Sequence, residues 1–441
     1  MRRIVLVVHT FPKLSETFIV SKFLGLLEHG WDAHIVCSQS DPREWAASPE
    51  LQRRPELRRR LHVAWPHRPR WFAALLIPIA VVRCFIRNPS GTWRYLMNEG
   101  QSISVNTFRQ IYLDAEMICL RPDLIHFEFG TIAVKRMQVQ ELLDCKVVVS
   151  FRGYDLKYVG LEEPGFYQEV WDKANAVHFL CESLWKLAQQ RGCPPNKRHA
   201  VITPAIDTEF FDPLERRHTE VIGKSERPLR ILSVGRLEWV KGYEYAFQAV
   251  ELLAEQKVRC EYRIVGDGEY LEALTFARHK LGLEERIDML GAQSSSEVKK
   301  HMLWADVFVH AAVSEGFCNA VVEAQAMALP VVCTDAGGLP ENVADAETGF
   351  VVPRRAPRPL ADKLFLLARN PDLRQQMGQA GRRRVSTHFR LEKQSADFDR
   401  LFRETLPEDT WREKTGGASI LPRGYDLLAK PDVPKKSGRA S

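Results

Sequence analysis

Two glutamates, Glu315 and Glu323, lie eight positions apart in a segment whose residue types suit ligand binding. The segment is predicted to form a loop, a helix that begins near Phe317, a short apolar strand and a glycine turn. Because a helix rises about 1.5 Å per residue, this spacing separates the two carboxylates by roughly 12 Å. The amides of Gly316, Phe317 and Cys318 would lie at the helix N-terminus, where an anion can bind. The pattern predicts a ligand with hydroxyl groups at both ends and negative charge between them, as in a nucleotide-sugar.

Two basic residues, Arg236 and Lys241, form a second candidate group in the turn between a predicted strand and helix. Gly235 and Gly242 flank them and allow the backbone to turn tightly beside a ligand. Open α/β sheets bind ligands at the carboxyl ends of their strands, so two cations at this position suit a diphosphate. The alternative interpretation is that both side chains are solvated.

The glutamate pair, with seven residues between its members, resembles the donor-site signature of retaining glycosyltransferases of family four. The resemblance covers residues 1 to about 400 and is strongest from Arg230 to Gly349. It implies an α/β fold of the GT-B type, in which two Rossmann-like domains with parallel sheets face each other across a cleft. It also implies a UDP-, GDP- or ADP-sugar as donor, transfer with retention of anomeric configuration, and neither metal nor cofactor.

The same resemblance gives roles to individual residues. Glu315 would bind hydroxyls of the donor sugar and Glu323 those of the ribose, while Arg236 and Lys241 would bind the diphosphate. Further donor-binding residues are expected at strand ends and at the N-terminus of the helix after Glu315: Gly235, Gly266 and Gly291 at strand ends, and Gly316, Phe317 and Cys318 at the helix.

Residues of the N-terminal half are expected on the acceptor side. The motif that contains Ser15, Glu16 and Thr17 resembles polysaccharide-building members of the family, although Ser15 and Thr17 could instead be helix caps. His126 ends a predicted strand and is expected to face the cleft. The segment SFRGYDL follows, in which Arg152 replaces the histidine of many family members and Asp155 is retained.

Strands alternate with helices through both halves of the chain, which predicts parallel sheets covered on both faces. The expected N-terminal domain spans residues 1–205 and includes an insertion at about 41–110. The nucleotide-binding domain spans 206–385, a returning helix 386–405, and a disordered tail 406–441.

Composition narrows the class of protein. The 441 residues carry a formal net charge of +6, and 45% of them are hydrophobic. This charge suits anionic ligands but is too weak to indicate nucleic acid, and no nucleic-acid motif is found. Nine scattered cysteines are typical of a reducing compartment, which predicts a cytoplasmic protein. The apolar run Ile4–Val8 is shorter than a signal-peptide core and is predicted to be a strand.

The insertion contains the apolar run Trp71–Val82, which is flanked by arginines. One interpretation places it on a membrane surface at the inner face of the cytoplasmic membrane, with the arginines near lipid phosphates: Arg68, Arg70, Arg83 and Arg87. The alternatives are a buried helix pair within the first domain and a transmembrane anchor, for which the run is short.

The predicted acceptor is a glycan or a lipid-linked oligosaccharide in exopolysaccharide or surface polysaccharide biosynthesis. Two other classes of protein stay open at this point. A nucleotide-sugar epimerase would use a similar scaffold without an acceptor, and a non-catalytic nucleotide-sugar-binding module would have lost the chemistry.

Overall fold

The computed structural model describes residues 1–13, 16–46, 48–64, 70–97, 105–213 and 227–407. Its first half contains a seven-stranded sheet in which every pairing is parallel, with strand order β3-β2-β1-β4-β5-β6-β7. Its strands are β1 (Arg3–Thr10), β2 (Asp32–Gln39), β3 (Leu61–Val63), β4 (Leu124–Phe127), β5 (Lys146–Phe151), β6 (Ala176–Phe179) and β7 (His199–Val201).

The second half contains a six-stranded parallel sheet with strand order β10-β9-β8-β11-β12-β13. Its strands are β8 (Leu229–Val234), β9 (Cys260–Val265), β10 (Ile287–Met289), β11 (Val307–His310), β12 (Val331–Thr334) and β13 (Gly349–Val352). The central strands are almost fully apolar and buried, as expected for sheets covered on both faces. The predicted α/β fold with two Rossmann-like sheets is confirmed.

Helices connect successive strands of both sheets. They are α1 (Thr17–Glu28), α2 (Pro42–Ala46), α3 (Pro49–Gln52), α4 (Arg70–Arg87), α5 (Pro89–Leu96), α6 (Val105–Leu120), α7 (Gly130–Ala133), α8 (Val139–Leu143), α9 (Gly153–Tyr158), α10 (Gln168–Lys173), α11 (Glu182–Gln190), α12 (Tyr243–Glu255), α13 (Leu271–Lys280), α14 (Ser295–Trp304), α15 (Asn319–Ala326), α16 (Leu339–Asn342), α17 (Pro357–Arg369), α18 (Pro371–His388) and α19 (Leu391–Thr405). Short 3-10 helices form at Pro55–Arg60 and Trp239–Lys241.

Each sheet has a topological switch point, where successive connections run in opposite directions along the sheet, and two loops lie there. In the second sheet β8 lies between β9 and β11, so the loops after β8 and β11 diverge and leave a crevice. In the first sheet the loops after β1 and β4 have the same relation. The predicted phosphate-binding turn follows β8, and the Glu315 loop follows β11.

One helix prediction was wrong at its start. The helix after Glu315 begins at Asn319 rather than near Phe317, so Glu315 lies in a loop four residues before it. Later in the chain, α17 and α18 are separate helices, because Pro371 lacks an amide hydrogen and begins a new helix that Asn370 caps.

The insertion forms a helical layer in which α4 packs against α5 and α6. Ala80 and Cys84 of α4 are buried in this layer, so one side of the apolar run packs as the buried-pair interpretation expected. Arg83 forms an ion pair with Glu116 of α6, which contradicts its predicted place beside lipid phosphates. Arg68 lies outside the described residues. Among the helices that the structure describes, none has the length and apolar character to cross a membrane.

The last described helix, α19, packs against α1 of the first half. Trp31 donates a hydrogen bond from Nε1 to Asp399 (2.8 Å), and its ring contacts Phe402 edge to face. The chain therefore returns to the first sheet after completing the second. Residues 408–441, which include most of the predicted tail, lie outside the described residues. All nine cysteines are free thiols.

Candidate active site

The loops after β8 and β11 lie against each other at the crevice of the second sheet. Gly242, in the loop after β8, has a positive φ of 62°, and a Cβ there would lie 2.2 Å from the carbonyl oxygen of Ala311. Only glycine permits both this conformation and this approach. The loop that carries Lys241 is thereby held beside the loop that carries Glu315.

Glu315 is the centre of a compact charged cluster, which we call the Glu315 cluster: Glu315, Lys241, His310 and Cys318. One carboxylate oxygen, Oε2, accepts hydrogen bonds from Lys241 Nζ (2.6 Å) and His310 Nε2 (3.1 Å). The other, Oε1, accepts the amide hydrogen of Gly316 (3.1 Å). Burial opposes the carboxylate form, but Lys241 and His310 outweigh burial and hold the pKa of Glu315 far below its usual value.

The two cations of the cluster are stabilised in return. Burial disfavours the charged Lys241 ammonium, yet the Glu315 carboxylate outweighs it and raises the pKa of Lys241. Burial also disfavours an imidazolium at His310, but Cys318 and Glu315 raise the pKa of His310 to about 9. Two basic side chains, Lys241 and His310, therefore face one carboxylate. Basic side chains gathered at a crevice attract an anionic ligand.

Two of the three amides that were predicted to be free for an anion already donate hydrogen bonds to side chains of the protein. Gly316 donates to the Glu315 carboxylate, and Cys318 donates to Asn342 Oδ1 (3.2 Å). Phe317 is the only one of the three whose amide lacks a hydrogen-bond partner among the described residues. The expectation of three free donors was wrong because the helix begins later, and the loop before it bonds to neighbouring side chains.

Glu323 differs from Glu315 in having no compensating charge. It lies in α15, is half-buried, and its carboxyl makes no hydrogen bond or ion pair with another described residue. Burial raises the pKa of Glu323 to about 7. A half-buried acid without a partner is able to accept or donate hydrogen bonds to ligand hydroxyls.

The structure does not bring Arg236 into the cluster as a partner of Glu315. The Arg236 side chain is 73% exposed and forms an ion pair with Glu238 (2.6 Å).

Three predicted glycines lie nearby at the ends of β8, β9 and β10. Gly235 donates its amide hydrogen to Val265 (3.0 Å), and Gly266 donates to Gly291 (2.9 Å).

Residues of the first half contact the Glu315 loop directly. Lys157 of α9 donates from Nζ to the carbonyl oxygen of Glu315 (2.6 Å), and Cys181 Sγ lies 3.1 Å from the carbonyl oxygen of Gly316. Gly153 and Gly316 approach so closely that a Cβ on either would lie about 3.2–3.3 Å from the backbone of the other. The site is therefore built from both halves of the chain.

A second contact between the halves lies beside this one. The Glu341 carboxylate of α16 accepts the amide hydrogens of Glu182 and Ser183, each at 2.8 Å, at the beginning of α11. Sequence reasoning missed four of these residues: His310, Lys157, Cys181 and Glu341. Only His310 had a readable signal, because it is a polar residue that ends an apolar strand five positions before Glu315.

His126 does not face the cleft, and this prediction was wrong. The side chain is fully buried beneath α19, with its ring centroid 5.9 Å from that of Phe398. Its Nε2 lies 2.7 Å from Ser150 Oγ, which in turn lies 2.7 Å from His178 Nδ1. Burial, followed by the charges of Lys22 and Arg152, holds the pKa of His126 well below its usual value, so the ring is neutral.

Arg152 and Asp155 stabilise the loop after β5. Arg152 forms an ion pair with the buried Glu128 (3.1 Å) and lies over the Phe18 ring (4.0 Å). Asp155 accepts the amide hydrogens of Arg152 (2.9 Å) and Thr131 (3.0 Å). Asp155 is fully buried, so its observed role is to orient this loop.

The acceptor-side motif lies at the start of α1. Glu16 accepts a hydrogen bond from Lys13 Nζ (2.8 Å) and is the N-cap of α1, although its side chain makes no capping bond. Thr17 is exposed in the first turn of α1, and Ser15 lies outside the described residues.

Three side chains of the cluster are also close enough to hold a metal ion. The ligand atoms of His310, Glu315 and Cys318 all lie within 4.8 Å of one another. A divalent cation there would have to displace Lys241 from Glu315 and deprotonate His310. The positive charge that a metal would supply is already provided by these two side chains.

Residues 215–384 match a family model described as glycosyl transferases group 1. The matched range contains the loop after β8, the Glu315 cluster and Glu323. Residues 215–384 are therefore similar to the members of this family. The resemblance to glycosyltransferases that the Glu315–Glu323 segment predicted is thereby confirmed.

Two curated glycosyltransferases are similar over most of this chain. The putative colanic acid biosynthesis glycosyltransferase WcaL of Escherichia coli K12 is 28% identical over 381 residues, which are 80% of this chain and 87% of WcaL. The amylovoran biosynthesis glycosyltransferase AmsK of Erwinia amylovora is 26% identical over 392 residues, which are 86% of this chain and 94% of AmsK.

The fold of this chain is also similar to that of a solved structure. Anabaena HepE, solved in complex with UDP, superposes with a TM-score of 0.66 at 15% identity, covering 92% of this chain and all of HepE. At this identity the likeness concerns the fold.

Proposed function

We propose that this glycosyltransferase moves a sugar from a nucleoside diphosphate sugar to a hydroxyl of a glycan or lipid-linked oligosaccharide, with retention of anomeric configuration. The observation that carries the proposal is the pair of basic side chains, Lys241 and His310, that face the Glu315 carboxylate at the end of β11. Preorganised charge aimed at a leaving group stabilises the transition state as negative charge develops there.

We assign binding of the diphosphate to Lys241 and His310. The amide of Phe317, which makes no hydrogen bond within the described part of the chain, is a further donor. Arg236 is exposed at the entrance, and its long side chain is able to exchange Glu238 for a phosphate oxygen. These cations would take the place of a metal ion.

The two glutamates take different parts of the donor. Glu315 holds Lys241 and His310 in position, and its carboxylate oxygens have spare lone pairs for a sugar hydroxyl. The Glu323 carboxyl, which has no partner among the described residues, is assigned to the ribose hydroxyls. Gly235, Gly266 and Gly291 offer backbone close to the base and the phosphates.

We assign the transfer to front-face substitution, in which the acceptor oxygen attacks the anomeric carbon from the same side as the departing phosphate. The bond between the anomeric carbon and the phosphate oxygen breaks while a bond to the acceptor oxygen forms. The acceptor hydroxyl gives its proton to the departing phosphate oxygen, so no protein base is required. Since His126 is buried and neutral, it is not assigned to this step.

The acceptor is assigned to the side formed by the first half of the chain. Arg152, Glu16 and Thr17 lie at the starts of α9 and α1, and Asp155 fixes the loop between β5 and α9. Because WcaL and AmsK are named for colanic acid and amylovoran biosynthesis, exopolysaccharide or surface polysaccharide biosynthesis is the proposed setting.

A donor screen tests the proposal. UDP-, GDP- and ADP-sugars are incubated with the protein, with and without a bacterial lipid extract, and HepE makes UDP-sugars the first choice. We expect transfer of the sugar to an acceptor, and NMR of the product should show the anomeric configuration of the donor.

The outcomes separate the alternatives. An inverted linkage would refute the retaining assignment. Conversion of the donor to an isomeric nucleotide-sugar without an acceptor would indicate an epimerase. Binding of a donor without any turnover would indicate a binding module.

A further inference from the structure

Helix α4 presents an apolar stripe to solvent on the side opposite its packed face. Between residues 75 and 86, every residue that is classed as exposed is apolar, and together they define the apolar stripe: Leu75, Pro78, Ile79, Val82 and Ile86. The exposed fraction is 66% for Leu75 and 75% for Ile86. A surface helix of a globular protein normally carries polar residues on this side.

Helical geometry places the aliphatic members of the stripe in one row. Positions 75, 79, 82 and 86 follow the spacing of four, three and four residues that aligns side chains along one face. Ala80 and Cys84 project from the other side into the layer formed with α6. The exposed row therefore does not belong to the core, and a contiguous exposed apolar surface indicates a partner.

Cations flank the stripe. Arg87 follows Ile86, is exposed and forms no ion pair within the described part of the chain. On α5, which packs against α4, Arg94 is exposed and lies 4.0 Å from the exposed carboxylate of Asp144. Trp93 (56% exposed) and Met97 (57% exposed) add apolar surface beside Arg94.

This combination favours a lipid surface over a protein partner. Protein interfaces typically include about one hydrogen bond per 100–200 Å². Apart from Arg83, whose partly exposed side chain pairs with Glu116, the exposed side chains from position 75 to 86 carry no polar group over about three helical turns. A hydrocarbon phase requires none, and lipid phosphates complement the flanking arginines.

We propose that the apolar stripe of α4 docks on an anionic membrane surface, with its aliphatic side chains below the headgroups and Arg87 and Arg94 at lipid phosphates. The helix lies in the interface and does not cross it, in agreement with its length and its packing on α6. The apolar stripe is remote in sequence from the Glu315 cluster, and its docking on a membrane does not depend on the proposed reaction.

Vesicle sedimentation of the full chain tests the inference. The probes are vesicles of phosphatidylcholine alone and of phosphatidylcholine mixed with phosphatidylglycerol. We expect binding to the mixed vesicles that weakens as salt increases. Ile79→Glu and Val82→Glu should each lower the partition coefficient about tenfold or more, because each removes one buried aliphatic group and adds a charge.

A matched control is available on another helix. Phe276 of α13 is 68% exposed, so Phe276→Glu makes the same kind of change away from α4 and should leave binding unchanged. Circular dichroism melting checks the fold of each variant, and Ile86→Glu is a third variant at an exposed position.

Absence of binding by the wild-type chain would overturn the inference, as would equal loss of binding with Phe276→Glu. Equal binding to neutral and anionic vesicles would overturn the assignment to an anionic surface. A dimer that Ile79→Glu dissociates, in a protein that does not bind vesicles, would assign the stripe to a second copy instead.

Discussion

Each of the two sheets carries a carboxylate with basic side chains and a histidine beside it, yet these clusters behave differently. In the second sheet the residues are Glu315, Lys241 and His310, with Cys318 alongside. In the first sheet Glu128 accepts hydrogen bonds from Lys22 Nζ (2.8 and 2.9 Å) and pairs with Arg152, and His126 lies 3.3 Å from Glu128. Similar residue types therefore end the equivalent strands β4 and β11.

The difference lies in which group holds the carboxylate and in what covers it. His310 bonds directly to Glu315, and its pKa is raised to about 9. Glu128 is taken up by Lys22 and Arg152, and α19 covers the cluster, so His126 stays neutral and burial lowers the pKa of Lys22 to about 8. The Glu128 cluster of the first sheet is buried and stabilises the fold, whereas the Glu315 cluster of the second sheet is the one that we propose binds a ligand.

The largest expected effect is on catalysis at the Glu315 cluster. The Glu315 carboxylate positions Lys241 and favours the protonated form of His310, and Glu315→Gln removes this negative charge. We therefore expect kcat to fall by about two to three orders of magnitude. Steady-state assays with the donor identified by the screen measure this change. Glu238→Gln, which alters an acid of the neighbouring loop, is the control, and a kcat of Glu315→Gln near that of the control would remove the distinction between the clusters.

The corresponding change in the first sheet should affect stability. Lys22→Met leaves the fully buried Glu128 with one fewer partner, and breaking a buried ion pair costs about 3–5 kcal/mol. Urea denaturation measures the free energy of unfolding. Lys13→Met, which removes the exposed ion pair of Lys13 with Glu16, should cost about 1 kcal/mol or less. Equal losses in the two variants would show that Glu128 is not a structural centre.

The pH dependence of unfolding tests the difference between the paired Glu315 and Glu323, whose pKa is raised by burial. Its pKa is about 7 in the folded protein and ordinarily about 4.5, so the folded state binds more protons between these values. The contribution of Glu323 to the free energy of unfolding therefore decreases as pH rises from 4.5 to 7. Glu323→Gln should remove this part of the pH dependence, as measured by thermal or urea denaturation across that range.

The exposed Glu272 of α13 provides the control for this measurement. Glu272→Gln should leave the pH dependence of unfolding close to that of the wild type. If Glu323→Gln also leaves the pH dependence of unfolding unchanged, the Glu323 carboxyl does not have a raised pKa in the folded protein.

Arg236 is expected to show the smallest effect. Because its side chain is exposed and pairs with Glu238, Arg236→Ala should lower kcat by about fivefold or less, with little change in stability. A loss as large as that of Glu315→Gln would mean that Arg236 turns inward and carries the diphosphate. The Glu315→Gln assay, repeated on this variant, decides between the two.

Much of the fold was predictable because its signals are local. Short apolar strands such as Val307–His310 and Val331–Thr334 alternate with helices, and this rhythm specifies parallel sheets. Glu315 and Lys241 were also predictable, because strand ends and glycine turns bring them to one edge of the sheet.

The remaining site residues depend on contacts that no local pattern encodes. Lys157 reaches Glu315 across 158 positions, and Glu341 reaches Glu182 across 159. His126 looked equivalent to a cleft residue, but α19 returns from the far end of the chain and covers it. Sequence position at a strand end indicates proximity to the crevice, whereas exposure is decided by distant elements.

Titration calorimetry of UDP, GDP and ADP against the wild-type protein and Lys241→Met measures whether the Glu315 cluster binds a diphosphate. We expect at least one nucleoside diphosphate to bind the wild type and Lys241→Met to weaken its binding about tenfold or more, because a charge-assisted bond to phosphate is lost. Equal affinity of the wild type and Lys241→Met for the bound nucleotide would contradict the claim that the Glu315 cluster holds the diphosphate.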